Sequence, residues 1–381
     1  MIYLDNAATS YPKPPSVLRE AARAVRYAGG NPGRSGHRLA RAASQTVYAA
    51  REAIAALFDG LPENVVFTLN ATYALNLAID ALAPPGSHIV ISNVEHNAVL
   101  RPVASRKGGH YSLFDARGND DAIVRSCMAA ITPQTSLVIC THVSNLCGLT
   151  LPIARIGRLC RERGIAFAVD VSQSAGHRPV SLRECGADAL CAPGHKGLLG
   201  LMGSGFVLFA DRYREDGRML LPFVHGGNGV DSREATMPPF LPERFEAGTL
   251  PLPAIASLGE GIRELGRIGQ ANVITIEETL GKRLRKHLSE MPGITVYGGA
   301  YGGGTVLFNL DGVPSETVAE CLDGLSVCVR SGLHCCPLGH ETLGTGIDGA
   351  VRASVSVFTV RQEIDTFAEH LLRIRKQYAV P

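Results

Sequence analysis

Between residues 64 and 210 the chain repeats one pattern: a short, unbroken apolar run, then a segment whose apolar residues recur at helical spacing. NVVFT (64–68) precedes a helix expected from about 72 to 83, and HIVIS (88–92) precedes one near 97–106. TSLVICTH (135–142) precedes PIARIGRLCRERG (152–164), where Gly164 reads as the residue that ends the helix. IAFAVD (165–170), ADALCA (187–192) and GFVLFA (205–210) complete the series. A strand apolar on both faces must be covered on both faces, and alternating helices supply that cover. The pattern dictates an α/β fold with a mostly parallel sheet. Ligands of such folds sit at the carboxyl ends of the strands, so the residues just after each apolar run carry the chemical interest.

The flanking regions read differently. LREAARAVRYA (18–28) and HRLARAASQTVYAAREAIAALF (37–58) have helical periodicity, and residues 214–250 look irregular, with Gly226-Gly227 and Pro238-Pro239. A helical stretch over 251–290 is followed by ITVYG, GTVLFNL, a helix from 315, AVRASVSV and a last helix over 361–377. Strands followed by helices in a shorter block predict a smaller α+β domain, with a boundary near 255.

Composition excludes several classes. Of 381 residues, 45% are hydrophobic and 19% charged, which favours a large core and disfavours disorder. A net charge of +2 argues against broad electrostatic binding to nucleic acid or anionic membrane. The apolar span 189–210 contains His195 and Lys196 and is rejected as a membrane helix. MIYLDNAATS lacks the character of a secretion signal. The ten cysteines are scattered, several within apolar runs, and read as reduced thiols of a cytoplasmic protein.

Two strand-end residues stand out. Asp170 closes IAFAVD, with Gln173 three positions on; Lys196 lies in the glycine-rich turn APGHKGLLGLMGSG. Alone, the aspartate is an ordinary helix cap and the lysine an ordinary surface residue. Together, on neighbouring strand ends, they meet the demands of pyridoxal phosphate: an amine for the aldehyde and a carboxylate for the pyridine nitrogen. Thr72, opening a helix in NATYALN, suits the phosphate, and His96 in EHNA suits the ring face. The stretch RSGLHCCPLGH (330–340) admits three readings: metal ligands, a catalytic thiol, or packing.

The order of motifs YLDNAATS, NPGRSGH, NATYALN, EHNA, HVSNLCG, VDVSQ, GHK, FEAGT, RSGLHCC and VRAS resembles the cysteine desulfurases of the class V aminotransferase group, nearly end to end. The resemblance is closest to the desulfurase and selenocysteine lyase subgroup. It implies a fold type I pyridoxal phosphate enzyme: a large domain (16–255) with a mostly parallel seven-stranded sheet, a small C-terminal domain (256–381), and an N-terminal segment (1–15) associated with the latter. Lys196 would hold the coenzyme covalently, Asp170 would pair with the ring nitrogen, Gln173 would bond the ring hydroxyl and His96 would stack on the ring. Ala71, Thr72 and His195 would hold the phosphate, and Thr249 would reach the phosphate of a partner in a homodimer. Asn145 and Arg352 would bind the substrate carboxylate. Cys335 would accept sulfur, which turns the reading of residues 330–340 toward the catalytic thiol and away from metal, with Arg330 and His334 nearby to favour the thiolate. The implied reaction converts L-cysteine to L-alanine with a persulfide left on the enzyme. Selenocysteine lyase, cysteine sulfinate desulfinase and another class V aminotransferase are the alternatives. The recipient of the sulfur is left open among an iron–sulfur assembly scaffold, a tRNA-modifying enzyme and another carrier protein. Three positions depart from the family pattern: Pro193, where a serine or threonine donor to the phosphate is usual nearby, Leu333 in place of histidine, and Cys336 in place of alanine. A binding module that kept only the fold would be free to lose Lys196, Asp170, His96 or Arg352; all four are present.

Overall fold

The computed structural model describes every residue except 34, 215–219, 223, 299–302 and 379–381; Arg34 of the NPGRSGH motif is therefore outside the described residues. In chain order the elements are β1 (Ile2–Tyr3), α1 (Pro15–Tyr27), α2 (Arg38–Phe58), β2 (Val65–Thr68), α3 (Ala71–Leu82), β3 (His88–Ser92), α4 (Asn97–Ala104), β4 (His110–Phe114), α5 (Asp120–Ala130), β5 (Thr135–Thr141), α6 (Ile153–Glu162), β6 (Ala166–Asp170), α7 (Leu182–Cys185), β7 (Ala189–Pro193) and β8 (Gly205–Phe209). There follow α8 (Leu252–Ile268), α9 (Gln270–Ser289), β9 (Ile294–Tyr297), β10 (Thr305–Leu310), α10 (Ser315–Asp323), β11 (Val327–Cys328), α11 (Pro337–Leu343), β12 (Val351–Ser354) and α12 (Arg361–Tyr378).

Seven strands form one sheet in the order β2-β8-β7-β6-β5-β3-β4. The run from β7 to β4 is parallel, and β8 is antiparallel to both its neighbours. Alternate residues feed opposite layers, as strand geometry requires. Val90, Val138, Val169 and Leu190 enter a core shared with α2, α6 and α8, while Ile89, Ile139, Ala168 and Cys191 enter one shared with α3 and α4. Every residue of β3, β7 and β8 is buried, which is why these strands are unbroken apolar runs. The seventh strand, β4, escapes that pattern: HYSLF lies at the sheet edge, with only Phe114 fully buried.

The smaller unit is a three-stranded antiparallel sheet, β12-β10-β9, packed on a core that includes Leu280, Leu284, Phe308 and Phe367. Leu4 belongs to the same core, and β1 pairs in parallel with β11. The helical stretch expected over 251–290 is two helices. Gly269, at φ +85, ends α8 and starts α9, a conformation that glycine supplies without a Cβ clash. The expected boundary near 255 falls inside α8. Ile255, Leu258, Ile262 and Leu265 of that helix pack in the core that holds Val90 and Leu190, whereas Leu280, Leu284 and Leu288 of α9 pack with Leu4 and Phe308 in the smaller unit.

Candidate active site

Asp170 is the last residue of β6, in register with Thr141 of β5 and Cys191 of β7. It is buried, and its Oδ1 accepts from the Ser172 amide at 2.8 Å. Lys196 comes three residues after the end of β7, in a turn closed by Leu199 N to Lys196 O (2.9 Å) and Gly200 N to Gly194 O (2.8 Å). The Lys196 amine has no hydrogen-bond partner among the described residues. Burial outweighs the attraction of Asp170 and pulls the amine down to about 8.

The start of α3 faces the same region. Asn70 caps that helix by accepting from Tyr73 N at 3.1 Å, and the Ala71 and Thr72 amides precede the first intrahelical bond. Gly205 allows β8 to begin against this turn: a Cβ there would lie 2.6 Å from the Asn70 carbonyl carbon. His195 Nδ1 is paired with the Thr9 hydroxyl at 3.1 Å, and burial lowers its imidazole to about 4. His96 caps α4 through Nδ1, accepting from Ala98 N at 3.0 Å, and burial lowers it to about 4 as well. Both rings are neutral at physiological pH.

These elements line a cleft of about 120 Å³. Ala71, Thr72, His96, Asn145, Asp170, Gln173, His195 and Lys196, all singled out from the sequence, line it together. Gln173 also donates to Ala7 O at 2.9 Å, which ties the N-terminal segment to the cleft. Arg352, Cys335 and Thr249 lie outside its lining. Arg352 is 1% exposed; it donates to Asn145 O at 3.0 Å and to Asp5 Oδ1 at 2.8 Å, and its Nε has no partner among the described residues. Asn145 in turn donates through Nδ2 to His334 O at 3.0 Å, so one asparagine links the cleft, the arginine and the 330–336 loop. Asn97, the residue after His96, donates its amide to Cys335 O at 2.6 Å. Thr249 is exposed and, among the described residues, its hydroxyl receives the Asn31 side chain, at 3.3 Å.

Of the ten cysteines, seven are buried, two are intermediate and Cys335 is exposed. Burial pushes the Cys336 thiol up to about 12, and its Sγ donates to Val94 O. The sulfur of Cys335 sits 3.6 Å from Arg330 Nη2. Arg330 is thus the cation at the thiol. His334 bonds instead to His340 and Arg330 O, and burial with the Arg352 charge lowers it to about 2, so it brings no positive charge. The ring nitrogens of RSGLHCCPLGH are committed to each other, to a carbonyl and to Thr345.

The sequence reasoning passed over Glu95, which is fully buried at the strand end before His96. Its Oε1 accepts from Thr141 N (2.9 Å) and the Ser92 hydroxyl, while Oε2 has no partner among the described residues. Burial raises it to about 8. A carboxylate in EHNA, three residues past the end of a buried strand, was the available signal. Asp5, in YLDNAATS, was equally in view and carries the ion pair to Arg352.

An unpartnered amine and a buried carboxylate on adjacent strand ends, open helix-start amides and a neutral imidazole suit a flat, phosphorylated aldehyde with a basic ring nitrogen. Pro193 lines the cleft without a hydroxyl to offer; the hydroxyls that line it belong to Thr72, Thr141 and Ser172.

The chain belongs to the class V aminotransferase family, whose model ("Aminotransferase class-V") matches residues 2–367. That family uses pyridoxal phosphate. The chain is 33% identical to a "Probable cysteine desulfurase" of Xylella fastidiosa strain 9a5c, over 99% of this chain and 91% of the relative. It is 31% identical to a "Probable cysteine desulfurase" of Methanothermobacter thermautotrophicus, over 98% and 94%. An apo structure of the cysteine desulfurase from Thermococcus onnurineus NA1 superposes with a TM-score of 0.89 at 31% identity, covering 99% of this chain and 95% of that one.

Proposed function

We propose that this chain is a pyridoxal phosphate-dependent cysteine desulfurase that converts L-cysteine to L-alanine and takes the sulfur onto Cys335. The observation that carries the reading is the joining of two sets of groups. The Lys196–Asp170 cleft suits the coenzyme, and Cys335, the exposed cysteine, is tied to it through Asn97 and, by way of His334, Asn145. Full-length relatives bearing that name support it.

When bound, the coenzyme withdraws electrons from the substrate's Cα and Cβ. Lys196 would hold it, Asp170 would keep its ring nitrogen protonated, and Ala71, Thr72 and His195 would hold its phosphate. His96 would cover one ring face and Gln173 would meet the ring hydroxyl. The Lys196 amine is suited to proton transfer at Cα because its basicity, near 8, lies close to working pH. Arg352 meets the substrate carboxylate with a guanidinium fork, with Asn145 beside it. The Cys335 thiolate attacks the substrate sulfur. An S–S bond forms, the Cβ–S bond breaks with its electron pair going to Cβ, and a proton completes the methyl group. The sum is L-cysteine plus thiol giving L-alanine plus persulfide, which needs no external oxidant or reductant.

The homodimer expected from the resemblance is part of this reading. Thr249 is exposed and outside its own cleft, as a residue serving a partner's phosphate would be. The test is product analysis with L-cysteine. Equimolar alanine and a persulfide mapped to the peptide bearing Cys335 support the proposal; pyruvate or another α-keto acid as the main product refutes it.

A further inference from the structure

The 330–336 loop holds two consecutive side-chain-bearing residues in the left-handed region, His334 at φ +49 and Cys335 at φ +55. L-residues keep that conformation only where their surroundings enforce it. At Cys335 part of the enforcement is visible, the Asn97 amide on its carbonyl. At His334 it is a hydrogen-bonded chain of side chains whose direction can be worked out.

His334 Nε2 lies 3.2 Å from Arg330 O, and a carbonyl oxygen can only accept. Nε2 therefore carries the proton, and the neutral ring has only a lone pair at Nδ1. His340 Nε2 is 3.2 Å from that Nδ1, so His340 must be the donor and must also be protonated at Nε2. Its own Nδ1 is then an acceptor, and the Thr345 hydroxyl, 2.6 Å away, donates to it. The order is fixed: Thr345 to His340, His340 to His334, His334 to Arg330 O. Burial holds both rings well below their ordinary values, His334 at about 2 and His340 at about 4, so neither is charged in working conditions. All three residues are buried. The last acceptor, Arg330 O, also receives Arg352 N at 2.7 Å. The side chain of the same Arg330 reaches the Cys335 sulfur.

We propose that His340 and Thr345 are positioning residues for Cys335: they fix His334 as its Nε2–H tautomer and, through the Arg330 carbonyl, hold the Arg330 guanidinium against the thiol. None of the three touches the reacting sulfur. Removing the Thr345 hydroxyl frees His340 to carry its proton on Nδ1. Its Nε2 lone pair then faces His334, which must move its proton to Nδ1 and release Arg330 O. The inference rests on the sulfur-acceptor reading only for its consequence in turnover. Its test reads the thiol itself and can fail while desulfuration is intact.

The experiment is peptide-resolved alkylation of Cys335 by iodoacetamide across a pH series, on the purified full-length protein with pyridoxal phosphate present. Thr345→Val, nearly equal in volume, is expected to slow Cys335 alkylation at neutral pH about fivefold, with Thr345→Ser restoring it. His340→Leu acts in the same direction, and His340→Gln, whose amide can still donate to His334, recovers most of the rate. Thr345→Val with a wild-type profile overturns the proposal, whether or not His340→Leu folds. So does Thr345→Ser slowed as much as Thr345→Val, which marks a packing role alone. Histidine-selective nitrogen-15 spectra give a second reading: both rings neutral and protonated at Nε2 in the wild type supports the chain, and a proton on His334 Nδ1 overturns it.

Discussion

Arg330 and Arg352 exchange backbone hydrogen bonds, Arg330 N to Arg352 O at 3.2 Å and Arg352 N to Arg330 O at 2.7 Å. The loop that carries the exposed thiol is therefore stitched to the strand that carries the buried guanidinium. Displacing one of these two segments therefore disturbs the other.

Arg352 should be sensitive to loss of its fork. Arg352→Lys keeps the charge but presents a point donor in place of two parallel ones. Steady-state kinetics with L-cysteine should show kcat/KM reduced roughly 10- to 100-fold, mainly through KM. Asp5→Asn leaves the buried guanidinium without its anionic partner. Denaturant unfolding should show a loss of about 2 kcal/mol.

Lys196 should make coenzyme capture pH-dependent. Its amine lies at about 8 before the coenzyme arrives, and only the neutral amine attacks an aldehyde. The rate at which apoprotein captures pyridoxal phosphate, followed by visible absorbance, should climb with pH up to about 8 and flatten above it. Lys196→Ala should show no covalent capture at any pH.

Cys335→Ala should separate the candidate substrates. Alanine formation from L-cysteine should fall on the order of a hundredfold or more, because no other thiol replaces the acceptor. Selenocysteine and cysteine sulfinate, whose leaving groups depart more readily, should lose much less. Cys336→Ala serves as the neighbouring control, since its thiol is buried and bonded to Val94 O; turnover should stay near wild type.

Glu95 should leave a mark on stability. Its folded value of about 8 lies above the ordinary 4.5, so the folded protein binds the extra proton between those values. The stabilisation is fully present below pH ~4.5 and is lost as pH rises through ~8. Glu95→Gln cannot ionise. Its thermal midpoint should fall less than that of the wild type between about pH 5 and about pH 8.5.

Most of the sheet was legible because its strands are buried on both faces and so cannot hide among polar residues. The edge strand β4 was not, because an edge needs no second apolar face. The break at Gly269 was missed because a glycine inside a helical period is a weak signal until its φ is known. At the site, strand-end logic brought Asp170 and Lys196 into one place, and the residues around them follow from the same topology. What could not be read was which neighbours are charged. His334 stands directly beside the thiol in sequence, yet its ring turns to His340 and a carbonyl, and only coordinates reveal that. Glu95 was visible as a residue, but not its environment: a carboxylate in a motif suggests an ordinary ion, whereas burial raises it to about 8.

The residues between Ile2 and Lys13 touch nearly every part of the site. β1 lies on β11, Asp5 holds Arg352, Ala7 O receives Gln173, and Thr9, Ser10 and Lys13 converge on His195 O, where Lys13 Nζ approaches to 2.7 Å. Their partners at 327–328 and 352 emerge from the ribosome more than three hundred positions later. For those two contacts the stretch made early waits for the stretch made late. The N-terminal contacts to Arg352 and β11 therefore close only after residue 352 has been made, whereas those to Gln173 and His195 need the chain only as far as His195.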